Sequence, residues 1–431
     1  MADLAVNICG IDSPNPFWLA SAPPTNTGDQ IARAFDAGWG GAVWKTLCEP
    51  IENTWSRYSS VDLNGQKMMG LNNIELITDR PLDVNLREIA AVKKRYPENV
   101  LLVSLMVESK REAWHTIVKQ VEDAGADGVE LNFGCPHGMS ERGMGSTIGQ
   151  VPDYACQITE WVKEVSTTPV FVKLTPNVTD IRPIARAAKN GGADAVSLIN
   201  TLNSITGIDL ETFTPRPAVA GASSHGGYCG PAIKPIALHM VSEIARDPET
   251  ADLIISGIGG ISTWSDAAEF ILLGATTVQV CTAVMHYGYR IVEGMIDGLS
   301  NYLDRKGLAN VDDLRGLSVG RMRDWAELDL NYVIKAHIDQ EQCIGCGICY
   351  IACHDGAHQA IGAGRDGEKT RVWVEDEACV GCNLCSLVCP VPGCITMVER
   401  DGGHERLSWN EYAGGSSVPL APRPKHGVTI A

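Results

Sequence analysis

Eight cysteines near the end of this 431-residue chain fall into two runs, Cys343, Cys346, Cys349, Cys353 and Cys379, Cys382, Cys385, Cys389, each spaced x2, x2, x3. Thiolate sulfur is the soft donor that iron in a cluster prefers, and this spacing lets three sulfurs of one turn reach three corners of a [4Fe-4S] cube. The fourth ligand is expected from the other run, so that Cys343, Cys346, Cys349 and Cys389 hold one cluster and Cys379, Cys382, Cys385 and Cys353 the other. Two adjacent clusters imply one-electron traffic. Paired CxxC motifs also build zinc sites, but four ligands per ion do not call for an x2-x2-x3 run followed by proline. Pro390 supplies that proline in the second run, while His354 stands in its place in the first. Cys394 is left over, as a packed thiol.

A second chemistry sits in NFGCPHGMSERGMG, residues 132–145. A free thiol with a pKa of about 8.5 is mostly protonated near neutrality and can donate a proton while a hydride arrives from the other side, which makes Cys135 a candidate general acid. His137 is placed to orient it, and the glycines of GMSERGMG let that loop move as a lid. The glycines of GIGG, residues 257–260, with Gly230 in GGYCGPA, let backbone N–H groups approach a dianion closely and point to a phosphorylated cofactor. Clusters downstream favour FMN, which accepts single electrons and passes on a hydride. No GxGxxG follows a predicted strand, so NAD or FAD of the dinucleotide-binding kind has no obvious site.

Eight apolar, β-branched runs must position these groups: 18–22, 41–47, 100–107, 128–133, 170–175, 195–200, 253–258 and 277–283. Helical segments such as REAWHTIVKQVEDAGA, ACQITEWVKEV, IRPIARAAKNGGA and SDAAEFILLGA separate them. Strand and helix in alternation predict an α/β fold, a TIM (β/α)8 barrel. Chemistry in that fold sits at the C-terminal strand ends, where Ser21, Lys45, Asn132, Lys173, Asn200, the GIGG glycines, Cys281 and Thr282 fall. Lys45 and Lys173 lie inside apolar runs, where lysine is uncommon. The expected organisation is a barrel over 1–305, a connector over 306–335, a ferredoxin-like two-cluster domain over 336–400 and an irregular tail over 401–431.

A formal net charge of −17 disfavours nucleic acid or an anionic membrane as partner. The start MADLAVNICG lacks the basic and apolar regions of a secretory signal, and no apolar run approaches membrane length. Fifteen cysteines, eight of them in cluster spacing, argue for a reducing, cytoplasmic setting.

The strings MMGLNNIELITDR, NFGCPHGMSERGMG, KLTPNVTDI and the Asn-Thr at 200 resemble the flavin domain of the dihydropyrimidine dehydrogenase family, and the eight-cysteine segment resembles its C-terminal cluster domain. The resemblance spans about residues 3 to 400 in the same order. It implies interconversion of uracil or thymine and their 5,6-dihydro forms, in a short catalytic subunit that takes electrons from NADH through a separate FAD flavoprotein subunit. Cys135 would protonate C5 of the ring while a flavin hydride goes to C6. The flavin contacts would be Ser21, Lys45, Thr46, Asn132, Lys173, Gly230, Ile258, Gly259, Gly260, Cys281 and Thr282. Asn73, Asn132, Asn200 and Thr201, with the backbone stretch from Asn132 through Phe133 to Gly134, would hold the pyrimidine, whose two N–H donors and two carbonyls suit carboxamides. The alternatives are a dihydroorotate dehydrogenase-like flavoenzyme sharing the barrel and FMN, or an electron-transfer subunit whose barrel is only a scaffold.

Overall fold

In a computed structural model, which describes residues 2–52, 54–367 and 369–421, the chain forms two compact units, 1–322 and 323–431. Within the first, eight parallel strands close into a barrel: β1 (Phe17–Leu19), β2 (Gly41–Leu47), β3 (Val100–Leu105), β4 (Gly128–Asn132), β5 (Val170–Lys173), β6 (Ala195–Leu198), β7 (Ile254–Ile258) and β8 (Thr277–Val280). Seven lie inside the runs expected from sequence, and β1 overlaps the first run, starting one residue before it. β8 pairs with β1, Val278 opposite Phe17, and this contact closes the ring.

The connecting helices cover the barrel with one apolar face each. Arg111–Asp123 buries Trp114, Ile117, Val118 and Val121, the i, i+3, i+4, i+7 stripe of an amphipathic helix. Arg182–Asn190 does the same with Ile184, Ala185, Ala187 and Ala188, and Thr263 with Asp266 forms a capping box at the start of Trp264–Leu272. A short N-terminal hairpin, Val6–Ile8 with Ile11–Ser13, lays Ile8 against Trp18, Val43, Val100 and Phe171 at the strand starts. That end of the barrel is thereby plugged, and the strand C-termini remain for chemistry.

Sequence periodicity did not reveal a four-stranded antiparallel sheet made of Tyr58–Leu63, Gln66–Asn73, Leu202–Ser204 and Gly226–Cys229. Its strands come from the loops after β2 and β6. They are short and largely polar, so no apolar alternation marks them. This sheet brings Asn73 and Tyr58 to the barrel mouth.

The second unit repeats one motif twice. Each cysteine run makes a tight loop and enters a short helix, Ile348–His354 or Leu384–Leu387, through a left-handed residue at the same position, Gly347 (φ 72°) or Asn383 (φ 69°). Glycine and asparagine are the residues that tolerate that conformation. Two antiparallel pairs, Ile334–Ile338 with Ile395–Glu399 and Ile361–Asp366 with Lys369–Val374, complete the unit. Histidine in place of proline at 354 lets the first helix run through that position, where its ring lies 4.9 Å from that of Tyr350. In the second run the helix ends before Pro390.

Two expectations for the polar stretches are corrected. Val311 and Leu314, in the expected connector, are buried in the barrel core. The expected irregular tail contains a capped helical turn, Trp409–Ala413, because Ser408 and Glu411 form a capping box and Leu407 is buried. Residues 422–431 of that tail lie outside the described residues.

Candidate active site

A cleft of about 940 Å³, open mouth included, lies at the C-terminal ends of the barrel strands. Its walls carry Ser21, Lys45, Thr46, Asn73, Asn132, Cys135, Lys173, Asn200, Thr201 and Cys281, all singled out from sequence. Residues from six strand ends and from the added sheet thus converge in one place.

A chain of hydrogen bonds crosses the mouth. Ser21 Oγ and Thr46 Oγ1 are 3.2 Å apart, Asn132 Nδ2 donates to Thr46 Oγ1 at 3.0 Å, and Asn200 Nδ2 donates to Asn132 Oδ1 at 3.0 Å. The Thr201 N–H closes the chain on Asn200 Oδ1 at 2.8 Å. Such a network fixes the direction in which each amide faces before any ligand arrives. Asn73 is held separately, its Nδ2 donating to Gly227 O at 2.9 Å across the added sheet.

Both lysines are buried and both have an acidic partner. Lys45 Nζ lies 2.5 Å from Glu75 Oε1, and Lys173 Nζ lies 3.4 Å from Glu130 Oε1. Glu130 is fully enclosed in the barrel, where its other oxygen accepts from Gln279 Nε2 at 3.1 Å. Glu75 also accepts a short bond from the Tyr58 hydroxyl, whose pKa is raised above its ordinary range first by burial and then by that bond. Glu75 and Tyr58 line the cleft and were missed in the sequence. Glu75 does fall within MMGLNNIELITDR, but a lone acid in a loop carries no sign of its distant lysine.

Cys135 is half-buried on the cleft wall, its thiol donating to His137 O at a long 3.6 Å. Burial pushes this thiol up to about 11, against smaller downward pulls from the His137 backbone and the Lys173 charge. The His137 imidazole makes no hydrogen bond to it. That ring is buried and turned to Glu75 O, 2.9 Å from Nε2, and burial lowers its pKa, so it anchors the loop rather than tuning the thiol. Met139 and Met144 seat the rest of the loop against Ile77 and Met106. Gly145 packs so closely that a Cβ there would stand 2.7 Å from Cys135 O.

A recess beside the cleft is lined by Gly230, Gly259, Gly260, Cys281 and Thr282. At Gly260 (φ +73°) a Cβ would meet Lys234 Cβ at 2.8 Å and Gly230 O at 3.0 Å, so this wall must be bare backbone. A backbone-walled recess after strands seven and eight of a barrel fits a phosphate group, and the cleft with its two lysines fits the rest of a flavin. Three expected residues, Phe133 and Gly134 of the backbone stretch and Ile258, present no side chain to these walls. The Phe133 ring is in the core, edge-on to Trp114, Gly134 is covered by the Asn200 side chain, and Ile258 is buried in β7.

In the second unit the thiols ring two small cavities. One is lined by Cys343, Cys346, Cys349 and Cys389, the other by Cys379, Cys382, Cys385 and Cys353. Each cavity thus includes the last cysteine of the other run. Two rings of four thiols suit two iron-sulfur clusters.

The barrel and the cysteine rings together define a flavin-type dehydrogenase barrel joined to a dicluster unit. In agreement, the dihydroorotate dehydrogenase family profile matches residues 3–303 and the 4Fe-4S dicluster domain profile matches residues 336–397. A ligand-free DHODH from Eimeria tenella superimposes with a TM-score of 0.61 at 23% identity, over 74% of this chain and 92% of that one, which bears on the fold alone. The NAD-dependent dihydropyrimidine dehydrogenase subunit PreA of Escherichia coli K12 is 45% identical over 370 residues, 86% of this chain and 89% of that one. The chloroplastic dihydropyrimidine dehydrogenase (NADP(+)) of Arabidopsis thaliana is 41% identical over 328 residues, 74% of this chain and 77% of that one. The chain belongs to the dihydropyrimidine dehydrogenase family of oxidoreductases. Among the described residues no helix is long and apolar enough to cross a membrane.

Proposed function

We propose that this chain is the catalytic subunit of a cytoplasmic NAD-dependent dihydropyrimidine dehydrogenase, interconverting uracil or thymine and their 5,6-dihydro forms with Cys135 as general acid and base. The observation that carries this reading is the position of Cys135 on the wall of a cleft shared with Asn73, Asn132, Asn200 and Thr201. FMN would be held by Ser21, Lys45, Thr46, Asn132 and Lys173, with its phosphate at Gly230, Gly259, Gly260, Cys281 and Thr282. Bound there, it would exchange a hydride with the ring and single electrons with the clusters.

The chain's own residues would do the rest. The amides match a ring that offers two N–H donors and two carbonyl acceptors. The Cys135 thiol gives its proton to the carbon next to the one that gains the hydride, and the thiolate recovers a proton from water. Lys173 favours negative charge accumulating beside it, as electrostatic preorganisation requires. Both lysines are already matched by carboxylates, which favours a neutral ring over a carboxylate-bearing one such as dihydroorotate. Side-by-side assays with uracil and dihydroorotate test this; faster turnover of dihydroorotate would reverse the assignment.

A thiol pushed up to about 11 stays protonated across the neutral range. In the reducing direction the acid form is the active one, so kcat/KM is expected to be level from roughly pH 6 to 9 and to fall only as that pKa is approached. In the oxidising direction the thiolate is the active form, and the rate rises with pH over the same span. Profiles measured in both directions check the sign: a fall in the reducing direction centred near neutrality would exclude Cys135 as the acid.

Electrons from NADH would require a second, FAD-binding subunit, since the GxGxxG string of this chain, Gly362 to Gly367, lies in an antiparallel hairpin of the cysteine unit and not in a turn from a strand into a helix. The anaerobically purified chain is expected to reduce uracil with dithionite but not with NADH, and to gain NADH-dependent activity when the flavoprotein is added. Brisk NADH oxidation by the chain alone would refute the two-subunit scheme.

A further inference from the structure

A layer of polar side chains lies inside the barrel, one step deeper than the cleft. Glu130 on β4, Ser197 on β6, Ser256 on β7, and Thr277 and Gln279 on β8 are all buried there. Barrel interiors are ordinarily filled by branched apolar side chains, so a polar layer calls for a reason. Gln279 Nε2 ties it together, donating to Glu130 Oε2 at 3.1 Å, Ser256 Oγ at 3.1 Å and Ser197 Oγ at 3.3 Å. Thr277 Oγ1 in turn donates to Ser256 Oγ at 2.8 Å. The other carboxylate oxygen of Glu130 is enclosed and accepts no hydrogen bond. Its one ion-pair partner among the described residues is Lys173, whose Nζ stands 3.4 Å away and whose side chain also lines the cleft.

A buried carboxylate is costly unless a cation answers it, and this pairing leaves Lys173 shared between Glu130 and whatever occupies the cleft. Reduction puts negative charge on a flavin ring, and charges beside the ring help to set how readily that happens. Lys173 alone would favour the reduced form. A carboxylate fixed behind the lysine offsets its charge, and in an enclosed core of low dielectric constant that offset is felt at the cleft. We infer that Glu130 is a positioning residue acting through Lys173: its carboxylate holds back and offsets the lysine charge, so that the bound flavin has a lower reduction potential than Lys173 alone would give it. A flavin of lower potential is the stronger hydride donor. Gln279 keeps the carboxylate in place. The inference rests on reading the cleft as a flavin site.

The test uses the full chain, purified anaerobically as wild type, Glu130→Gln and Glu130→Asp. Glutamine keeps the shape and an acceptor for Gln279 but removes the charge, whereas aspartate keeps the charge and leaves a gap. A tuning charge and a packing role therefore predict opposite orders for the two variants. Flavin content is measured first, because wild type without FMN would refute the flavin reading and the inference with it. Redox titration then follows the flavin by absorbance and the clusters by electron paramagnetic resonance in the same samples. In Glu130→Gln the flavin midpoint potential is expected to shift upward while the cluster potentials stay in place. In Glu130→Asp the flavin midpoint stays close to wild type. An unmoved or lowered flavin midpoint in the glutamine variant, or a larger shift in the aspartate variant, would overturn the inference. So would loss of flavin from Glu130→Gln, which would make Glu130 a structural prop, or a shift of flavin and clusters together, which would mark a general disturbance of the fold.

Discussion

Cys135→Ala is expected to retain the fold and the bound flavin while losing about 10²- to 10⁴-fold in uracil reduction, the usual contribution of a positioned general acid. The substitution removes one sulfur from a half-buried wall position, and the backbone that seats the loop is untouched, with the Ser146 N–H still donating to Cys135 O at 3.0 Å. The loss should therefore appear in kcat and in kcat/KM alike, with little change in apparent uracil affinity, because the missing interaction acts only as the proton moves. Cys135→Ser should recover little, since a hydroxyl in the same buried place is a far weaker acid than the thiol it replaces. Flavin absorbance of the purified variant and stopped-flow reduction of uracil by the pre-reduced enzyme measure the two halves of this prediction. Near-wild-type turnover in the alanine variant would remove Cys135 from the chemistry.

The second large effect concerns the crossed ligation. Cys353 is written into the first cysteine run but lines the cavity of the second, while Cys389 does the reverse. Cys353→Ala is thus expected to empty the site of Cys379, Cys382 and Cys385, leaving about half of the iron. NADH-driven turnover in the presence of the flavoprotein should then be lost. Reduction of the bound flavin by dihydrouracil, which needs no cluster, should persist. The mirror variant Cys389→Ala should empty the other site, and electron paramagnetic resonance distinguishes which of the two signals has gone. Were Cys353→Ala to remove the cluster of its own run, the exchange of fourth ligands would be wrong.

Much of this was legible in the chain itself, for reasons that differ between elements. The barrel strands are buried on both faces and so appear as continuous β-branched runs, such as Val100–Leu105, in which every residue is buried. The cleft lysines stood out because they interrupt such runs. The added sheet was illegible because Gln66–Asn73 and Leu202–Ser204 carry no apolar period and pair over more than a hundred residues through Gly226–Cys229. Phe133 was expected to serve through its backbone, and its ring is accordingly free to pack in the core, edge-on to Trp114.

What the sequence by itself determined are the features whose chemistry is written in short spacing: the two cysteine runs, the thiol in NFGCPHGMSERGMG, and the glycines that leave backbone bare. A turn of a few residues sets those distances whatever the rest of the chain does. Only the tertiary structure decided which groups meet across long separations. Glu130 lies beneath Lys173, Glu75 beside Lys45, Asn200 on Asn132, and Cys394 among the thiols of one cavity and not the other. Those contacts arise from barrel closure and from the packing of the cysteine unit, and they adjust charge and orientation around groups that local spacing had already placed.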